Sequence, residues 1–202
     1  PGLCKALIDH YEARGGHDSG FMRDVDGKTV VVVDHKHKRR SDCDIVDDSL
    51  IRACRVRVHA RLAPEVRKAF QFEATRMERY IVACYDAADS GHFNPHRDNT
   101  TLGTAHRRFA VSLFLNPGAY EGGLLRFPEF GNALYSAPLG GAIVFSCSLL
   151  HEATTVTKGR RYMFVPFLHD EAAQRVREAN SKFLADARQQ DSDSENRPAL
   201  DV

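Results

Sequence analysis

Residues 107–130 read RRFAVSLFLNPGAYEGGLLRFPEF. An apolar run from Arg108 to Leu115 ends at Asn116-Pro117-Gly118, and a second, Leu124 to Phe127, enters through Gly122-Gly123 and stops at Pro128. Runs this short, cut by turn-forming residues, are strands rather than helices, and Gly122-Gly123 reads simply as a turn. Working outward, the same texture gives strands at Tyr80–Asp86, His92–Asp98, Ala133–Ala137, Ala142–Cys147, His151–Val156 and Tyr162–Leu168. About eight antiparallel strands are what a double-sheet jelly roll needs. The predicted fold is mainly β with flanking helices, the helices covering one sheet.

Towards the amino end, Leu3, Ala6, Leu7 and Tyr11 recur at helical spacing, and Gly15-Gly16 supplies a stop. Thr29 to Val33 reads as a short strand. The basic run from Lys36 to Arg40, with His35 and His37, reads as a solvated loop before a docking surface for an acidic substrate. Asp47-Asp48-Ser49 offers caps to a helix carrying Leu50, Ile51, Cys54, Val58 and Leu62, and Pro64 suits the first turn of the next. Towards the carboxyl end, Ala172, Val176, Ala179, Phe183 and Ala187 return to helical spacing, and the residues after Gln189 are polar, with little to bury. The expected organisation is a single domain over 1–190, with a helical support region (1–78), a jelly-roll core (79–169) and a helix (170–189), then a disordered tail (190–202).

The chain has 202 residues, 43% of them hydrophobic, which suits one core. Its 28 basic and 27 acidic residues nearly cancel, so no nucleic-acid partner is expected. Cys4, Cys43, Cys54, Cys84 and Cys147 are scattered without a Cys-x-x-Cys pair, against a disulfide scaffold or structural zinc and for a reducing, cytoplasmic setting. No apolar run reaches the roughly 18 residues a membrane span requires, and no signal segment is read at the amino end. Pro1 stands where an initiating Met would, so flanking segments stay open, as does oligomeric state.

His96-Arg97-Asp98 presents two side chains on one face of an extended segment, because strand residues two apart point the same way. A jelly roll can bring His151 beside them, and two imidazoles with one carboxylate on one face of a metal leave positions open, as iron(II) oxygenases require. His-x-Asp or His-x-Glu also occurs at His10 and His169, so the triad alone is a weak signal. Arg161, ten residues beyond His151, distinguishes the central match. A guanidinium binds a carboxylate with paired hydrogen bonds and keeps its charge, which suits the far carboxylate of 2-oxoglutarate. Neighbours in a strand face opposite ways, so only one of Arg160 and Arg161 points inward, and spacing favours Arg161.

With these residues in view, positions 79–171 resemble the prolyl 4-hydroxylase-like branch of the iron(II)/2-oxoglutarate dioxygenase superfamily. The matching stretches are Arg79 to Tyr85, Phe93-x-x-His96-x-Asp98-Asn99, Phe114-Leu115-Asn116, Glu121-Gly122-Gly123-x-Leu125-x-Phe127, His151-Glu152, and Val156-Thr157-x-Gly159-x-Arg161-Tyr162. The resemblance implies a double-stranded β-helix, iron(II) on His96, Asp98 and His151, 2-oxoglutarate anchored by Arg161, and Tyr85 as a further co-substrate contact. It implies hydroxylation of an unactivated C–H bond, with O2 consumed, succinate and CO2 released, and ascorbate a candidate reductant. Phe114 departs from the pattern: oxygen-sensing animal enzymes of this branch have a tyrosine there whose hydroxyl helps hold the distal carboxylate. Asp98 favours hydroxylation over halogenation, since related halogenases carry a small residue in its place.

Asn99, His106 and Arg107, in the loop after Asp98, are candidate substrate contacts. Arg126 is another, facing in or out. His-Arg-Asp also occurs in protein kinases, but that motif needs Asn five residues after Asp, where this chain has Gly103. Two other functions compete with the hydroxylase: a jelly-roll metal- or ligand-binding module without turnover, and a cupin-type metal hydrolase. The substrate, a protein or peptide side chain or a small molecule, is set by loops on which the motifs are silent.

Overall fold

The computed structural model describes residues 2–184. Helix α1 (Gly2–Arg14) stops where Gly15 takes a positive φ of 74°, and five short strands follow. These are β1 (His17–Asp18), β2 (Phe21–Val25), β3 (Lys28–Val32), β4 (Lys38–Arg39) and β5 (Ser41–Asp44). The Asp47 carboxylate then accepts from the backbone N–H of Ser49 and Leu50, capping α2 (Asp48–Arg61), and Pro64 lies in the first turn of α3 (Ala63–Phe70). The β region continues through β6 (Arg76–Glu78), β7 (Ile81–Asp86), β8 (His92–His96), β9 (Phe109–Phe114), β10 (Tyr120–Gly122) and β11 (Leu125–Arg126). It closes with β12 (Leu134–Tyr135), β13 (Ala142–Ser146), β14 (His151–Ala153), β15 (Val156–Phe164) and β16 (Phe167–His169), before α4 (Glu171–Asn180).

Two antiparallel sheets result. The larger runs β1-β5-β7-β15-β9-β16-β6, with β13 also on β9 and β10 on β15; the smaller runs β12-β11-β14-β8-β4. β2 and β3 form a separate hairpin. The pleat of β7 assigns the faces: Val82 and Cys84 pack among the residues of α1 and α2, including Leu7, Ile51 and Val58, while Ala83 and Tyr85 face inward with Phe93, Phe114 and Met163. Leu7, Ile51 and Val58 are essentially excluded from solvent, and burying such side chains contributes about 1.5–3 kcal/mol each. The helices therefore hold the larger sheet from outside and leave its inner face to the site.

The jelly-roll expectation stands, with corrections. The segment read as one strand from Tyr162 to Leu168 is two, because Pro166 has no N–H for the ladder; β15 pairs with β7 and β9, and β16 shifts to β9 and β6. The strand expected from His151 to Val156 ends at Ala153, and Val156 already opens β15. The support region is not only helical, since residues 17–44 supply strands to both sheets. The basic run is a solvated turn only in its first part: His35 and Lys36 are exposed, whereas Lys38 pairs with Phe93 on β8 and is 2% exposed, and Arg40 7%. Helical structure after Asp170 gives way to a 3-10 turn at Ser181–Phe183, short of Ala187, which with the polar tail lies outside the described residues. Among the described residues no helix is long and apolar enough to cross a membrane.

Candidate metal centre and co-substrate pocket

His96 closes β8 and His151 opens β14, and the two are direct partners across the smaller sheet. Asp98 lies two residues past His96, where its backbone N–H donates to the Cys147 carbonyl, so a chain entering β14 pins the carboxylate in place. One Asp98 oxygen is 3.6 Å from His96 Nε2 and the other 3.4 Å from His151 Nε2. One donor atom from each residue lies within 4.8 Å of the others.

Both imidazoles are oriented for metal. His96 Nδ1 is 2.8 Å from the Asn94 carbonyl and His151 Nδ1 is 3.0 Å from that of Leu149. A carbonyl only accepts, so each Nδ1 carries a proton and Nε2 is the atom each ring turns to Asp98. Aromatic walls fix the rings: Phe93 stacks on His96 at 3.4 Å between centroids, and Phe145 meets His151 edge-on at 4.5 Å. Burial pushes His96 down to about 4 against the pull of Asp98, keeping the ring neutral. For Asp98, burial acts upward but is outweighed by His151, His96 and Arg107, so the carboxyl is held below its ordinary range. Two imidazoles and one carboxylate on a common face suit iron(II) with sites left open.

Arg161, on β15, lies inside the barrel at 3% exposure, while Arg160 points outward to Glu12 and Asp86, as alternation requires. The Arg161 guanidinium is 4.9 Å from the Tyr85 ring centroid and 5.5 Å from that of Phe114. Its Nε is buried without a hydrogen-bond acceptor, and no carboxylate of the described residues pairs with it. A buried cation is costly unless an anion meets it, which makes Arg161 suited to hold a carboxylate. Tyr85, Arg161, His96, Asp98 and His151 line one cavity, joining metal donors and cation.

Two features of this pocket escaped the sequence reading. Gly123 does more than turn the chain: at φ +61° a Cβ there would stand 2.7 Å from Arg161 Cδ, so the missing side chain is the space the arginine occupies. Arg40 reaches the Tyr85 hydroxyl at 3.4 Å and is ion-paired to Asp42 at 2.7 Å. The alternation Lys38, Arg40, Asp42 was the available signal, masked by the length of the charge run.

The remaining candidates separate. Arg107 lines the cleft beside the metal donors but is paired with Glu78 at 2.8 Å, and Asn99 makes one long contact, 3.5 Å, to Ser148. His106 turns inward, 2% exposed, onto Glu78 at 2.9 Å, away from the cleft. Arg126 pairs with Glu152. Of the other His-x-acid matches, His10 bonds the Asp44 carbonyl and His169 bonds Gln174, so neither joins a ligand set.

The 2OG-Fe(II) oxygenase superfamily profile matches residues 80–169. A PKHD-type hydroxylase from Azoarcus sp. (strain BH72) is 33% identical over 99 residues, 44% of each chain. Another, from Thermosynechococcus vestitus, is 39% identical over 82 residues, 38% of this chain and 37% of that one. The chain thus spans less than half the length of these curated relatives. Among solved structures, a Trichoplax adhaerens prolyl hydroxylase in complex with a hypoxia inducible factor peptide fragment superposes with TM-score 0.63 at 17% identity, covering 87% of this chain and 82% of that one. A Pseudomonas putida prolyl-4-hydroxylase gives 0.60 at 16%, covering 84% and 87%. These likenesses are of fold. The matched segment, just under half of the chain, encloses the metal donors, Tyr85 and Arg161, and over that segment the chain is similar to the 2OG-Fe(II) oxygenase superfamily.

Proposed function

We propose that this protein is an iron(II)- and 2-oxoglutarate-dependent dioxygenase that hydroxylates an unactivated C–H bond. The observation that carries the reading is a buried, anion-free Arg161 in the same cavity as three convergent metal donors. His96, Asp98 and His151 would hold the iron, and Arg161 the far carboxylate of 2-oxoglutarate. When bound, iron with 2-oxoglutarate and O2 supplies the oxidant for the C–H bond, and succinate and CO2 leave. The chain's own part is positional. The carbonyls of Asn94 and Leu149 keep the imidazoles in one tautomer, Phe93 and Phe145 fix the rings, and Gly123 leaves Arg161 its place. Phe114 offers no hydroxyl to the co-substrate, so the remaining polar help comes from Tyr85, whose own hydroxyl accepts from Arg40. The apolar walls exclude water from the reacting centre. Residues 1–190 would act as one oxygenase domain. Five free, buried cysteines support a reducing, cytoplasmic setting. Ascorbate would serve as an auxiliary reductant.

The test is succinate formed from 2-oxoglutarate by anaerobically iron-loaded protein on admitting O2, beside His96→Ala, with and without ascorbate. Succinate from the wild type alone supports the oxygenase. Metal and 2-oxoglutarate binding without turnover, even across a substrate panel, would favour the binding module. Purification with zinc and indifference to 2-oxoglutarate would favour the metal hydrolase.

A further inference from the structure

The cleft in front of the metal donors, about 350 Å³, contains a cation that the oxygenase reading does not use. Lys38 lies on β4 in register with Phe93, and its ammonium is 4.8 Å from the Phe93 ring centroid, the ring on which His96 stacks. It is 2% exposed. Its Nζ donates to Ser19 Oγ at 2.6 Å and to the Gly20 carbonyl, both neutral, and no carboxylate of the described residues comes within ion-pair distance. An ammonium has three N–H donors, so one remains for the cleft that Lys38 lines.

Most other charges around the cleft are already committed; Arg23, over the Phe21 ring, is not. Arg79 is paired with Asp42, Arg97 with Glu129 and Arg107 with Glu78. Both oxygens of Asp24 are taken, by Thr29 Oγ1 and the Leu102 N–H. Asp98 belongs to the metal set. What faces the open space is therefore Lys38 with one unspent donor and, over the Phe21 ring, Arg23; burial disfavours the Lys38 ammonium, and an anionic ligand would restore it.

We propose that Lys38 is a substrate-specificity residue that pairs with a carboxylate of the primary substrate and seats its carbon skeleton over Phe93, beside His96. This rests on the oxygenase reading and adds the substrate class: a carboxylate-bearing compound, either a small carboxylic acid or an acidic peptide.

The test measures binding by calorimetry to protein loaded with Mn(II) and 2-oxoglutarate under anaerobic conditions. The small-acid probes are N-acetyl-L-proline and N-acetyl-L-leucine against their carboxamides. The peptide probes are Ac-Gly-Glu-Pro-Glu-Gly-NH2 against its Gln counterpart. We expect at least one carboxylate to bind about tenfold or more tighter than its amide, the scale of one charge-assisted hydrogen bond. Lys38→Gln should abolish that preference and Lys38→Arg retain part of it, with 2-oxoglutarate affinity within about twofold of wild type; preference confined to acids or to peptides identifies the source. Absence of preference in the wild type, with metal and 2-oxoglutarate bound, overturns the proposal and leaves the oxygenase reading intact. Equal loss for carboxylate and amide in Lys38→Gln, with a lowered melting temperature, would make Lys38 only a brace for Gly20. Failure to bind Mn(II) and 2-oxoglutarate would sink the underlying reading instead.

Discussion

At the scale of single residues, Arg161 and Phe114 give the sharpest expectations. Arg161 is buried with aromatic rings on two sides and no anion. Removing one partner of a buried charge pair costs about 2–5 kcal/mol, so Arg161→Gln should weaken 2-oxoglutarate by about two orders of magnitude or more while Mn(II) binding survives. Isothermal titration of both ligands separates these; equal weakening of both would show that the arginine holds the barrel rather than the co-substrate. Phe114 is fully buried 5.5 Å from the same guanidinium. Phe114→Tyr puts a hydroxyl there that lacks an acceptor until a carboxylate arrives. It should lower the stability of the ligand-free protein by about 1–3 kcal/mol and recover part of that with 2-oxoglutarate, read as a larger ligand-induced shift in melting temperature than in wild type.

At the scale of elements, the site depends on short strands whose positions are set by what passes behind them. Gly123 lies between β10 and β11, and its φ and the 2.7 Å approach to both Arg161 and Val156 leave no place for a methyl group. Gly123→Ala should destabilise by about 1–3 kcal/mol and weaken 2-oxoglutarate more than metal. Urea unfolding with the two titrations checks it, and an unchanged co-substrate affinity would count against the cradle. The core strands were legible because breakers and apolar runs alternate cleanly from Tyr80 onward, and the metal triad because its spacing matched a strand pair. β1, β4 and β5 were not. Two to four residues long and full of charge, they carry no period-2 apolar signal, and their burial is supplied by ion pairs such as Arg40 with Asp42. Gly122-Gly123 was legible as a turn, but what the turn makes room for comes from β15, more than thirty residues later.

At the scale of the whole molecule, acid should unfold the metal-free protein in two stages. Histidines buried as neutral rings bind protons more readily once unfolded. His96, lowered by burial from 6.5 to about 4, lends stability that is complete above about pH 6.5 and falls away as pH drops towards 4, and His169, also lowered by burial, acts in the same direction. For His96 the sum is of the order of 3 kcal/mol. The second stage belongs to Glu78. Burial alone would raise it, but Arg107, His106 and Arg177 hold it well below its ordinary 4.5, so its contribution is intact above that value and is lost as pH falls through the depressed folded value. Glu78 also ties β6 to Arg107 in the loop after Asp98 and to Arg177 on α4, so its protonation loosens the wall of the cleft together with the carboxyl-terminal helix. The urea midpoint of chelator-treated protein should accordingly decline from pH 6.5 and more steeply below 4.5. Glu78→Gln should lower the midpoint at pH 7 and flatten the second decline, because the amide leaves the buried cations uncompensated at every pH. Saturating metal should deepen the first decline, since protons must then displace an ion from His96 and His151 as well as charge the rings. A midpoint constant from pH 7 to 4, with or without metal, would mean that the buried imidazoles and Glu78 are as accessible to protons in the folded chain as in the unfolded one, against the packing that defines the site.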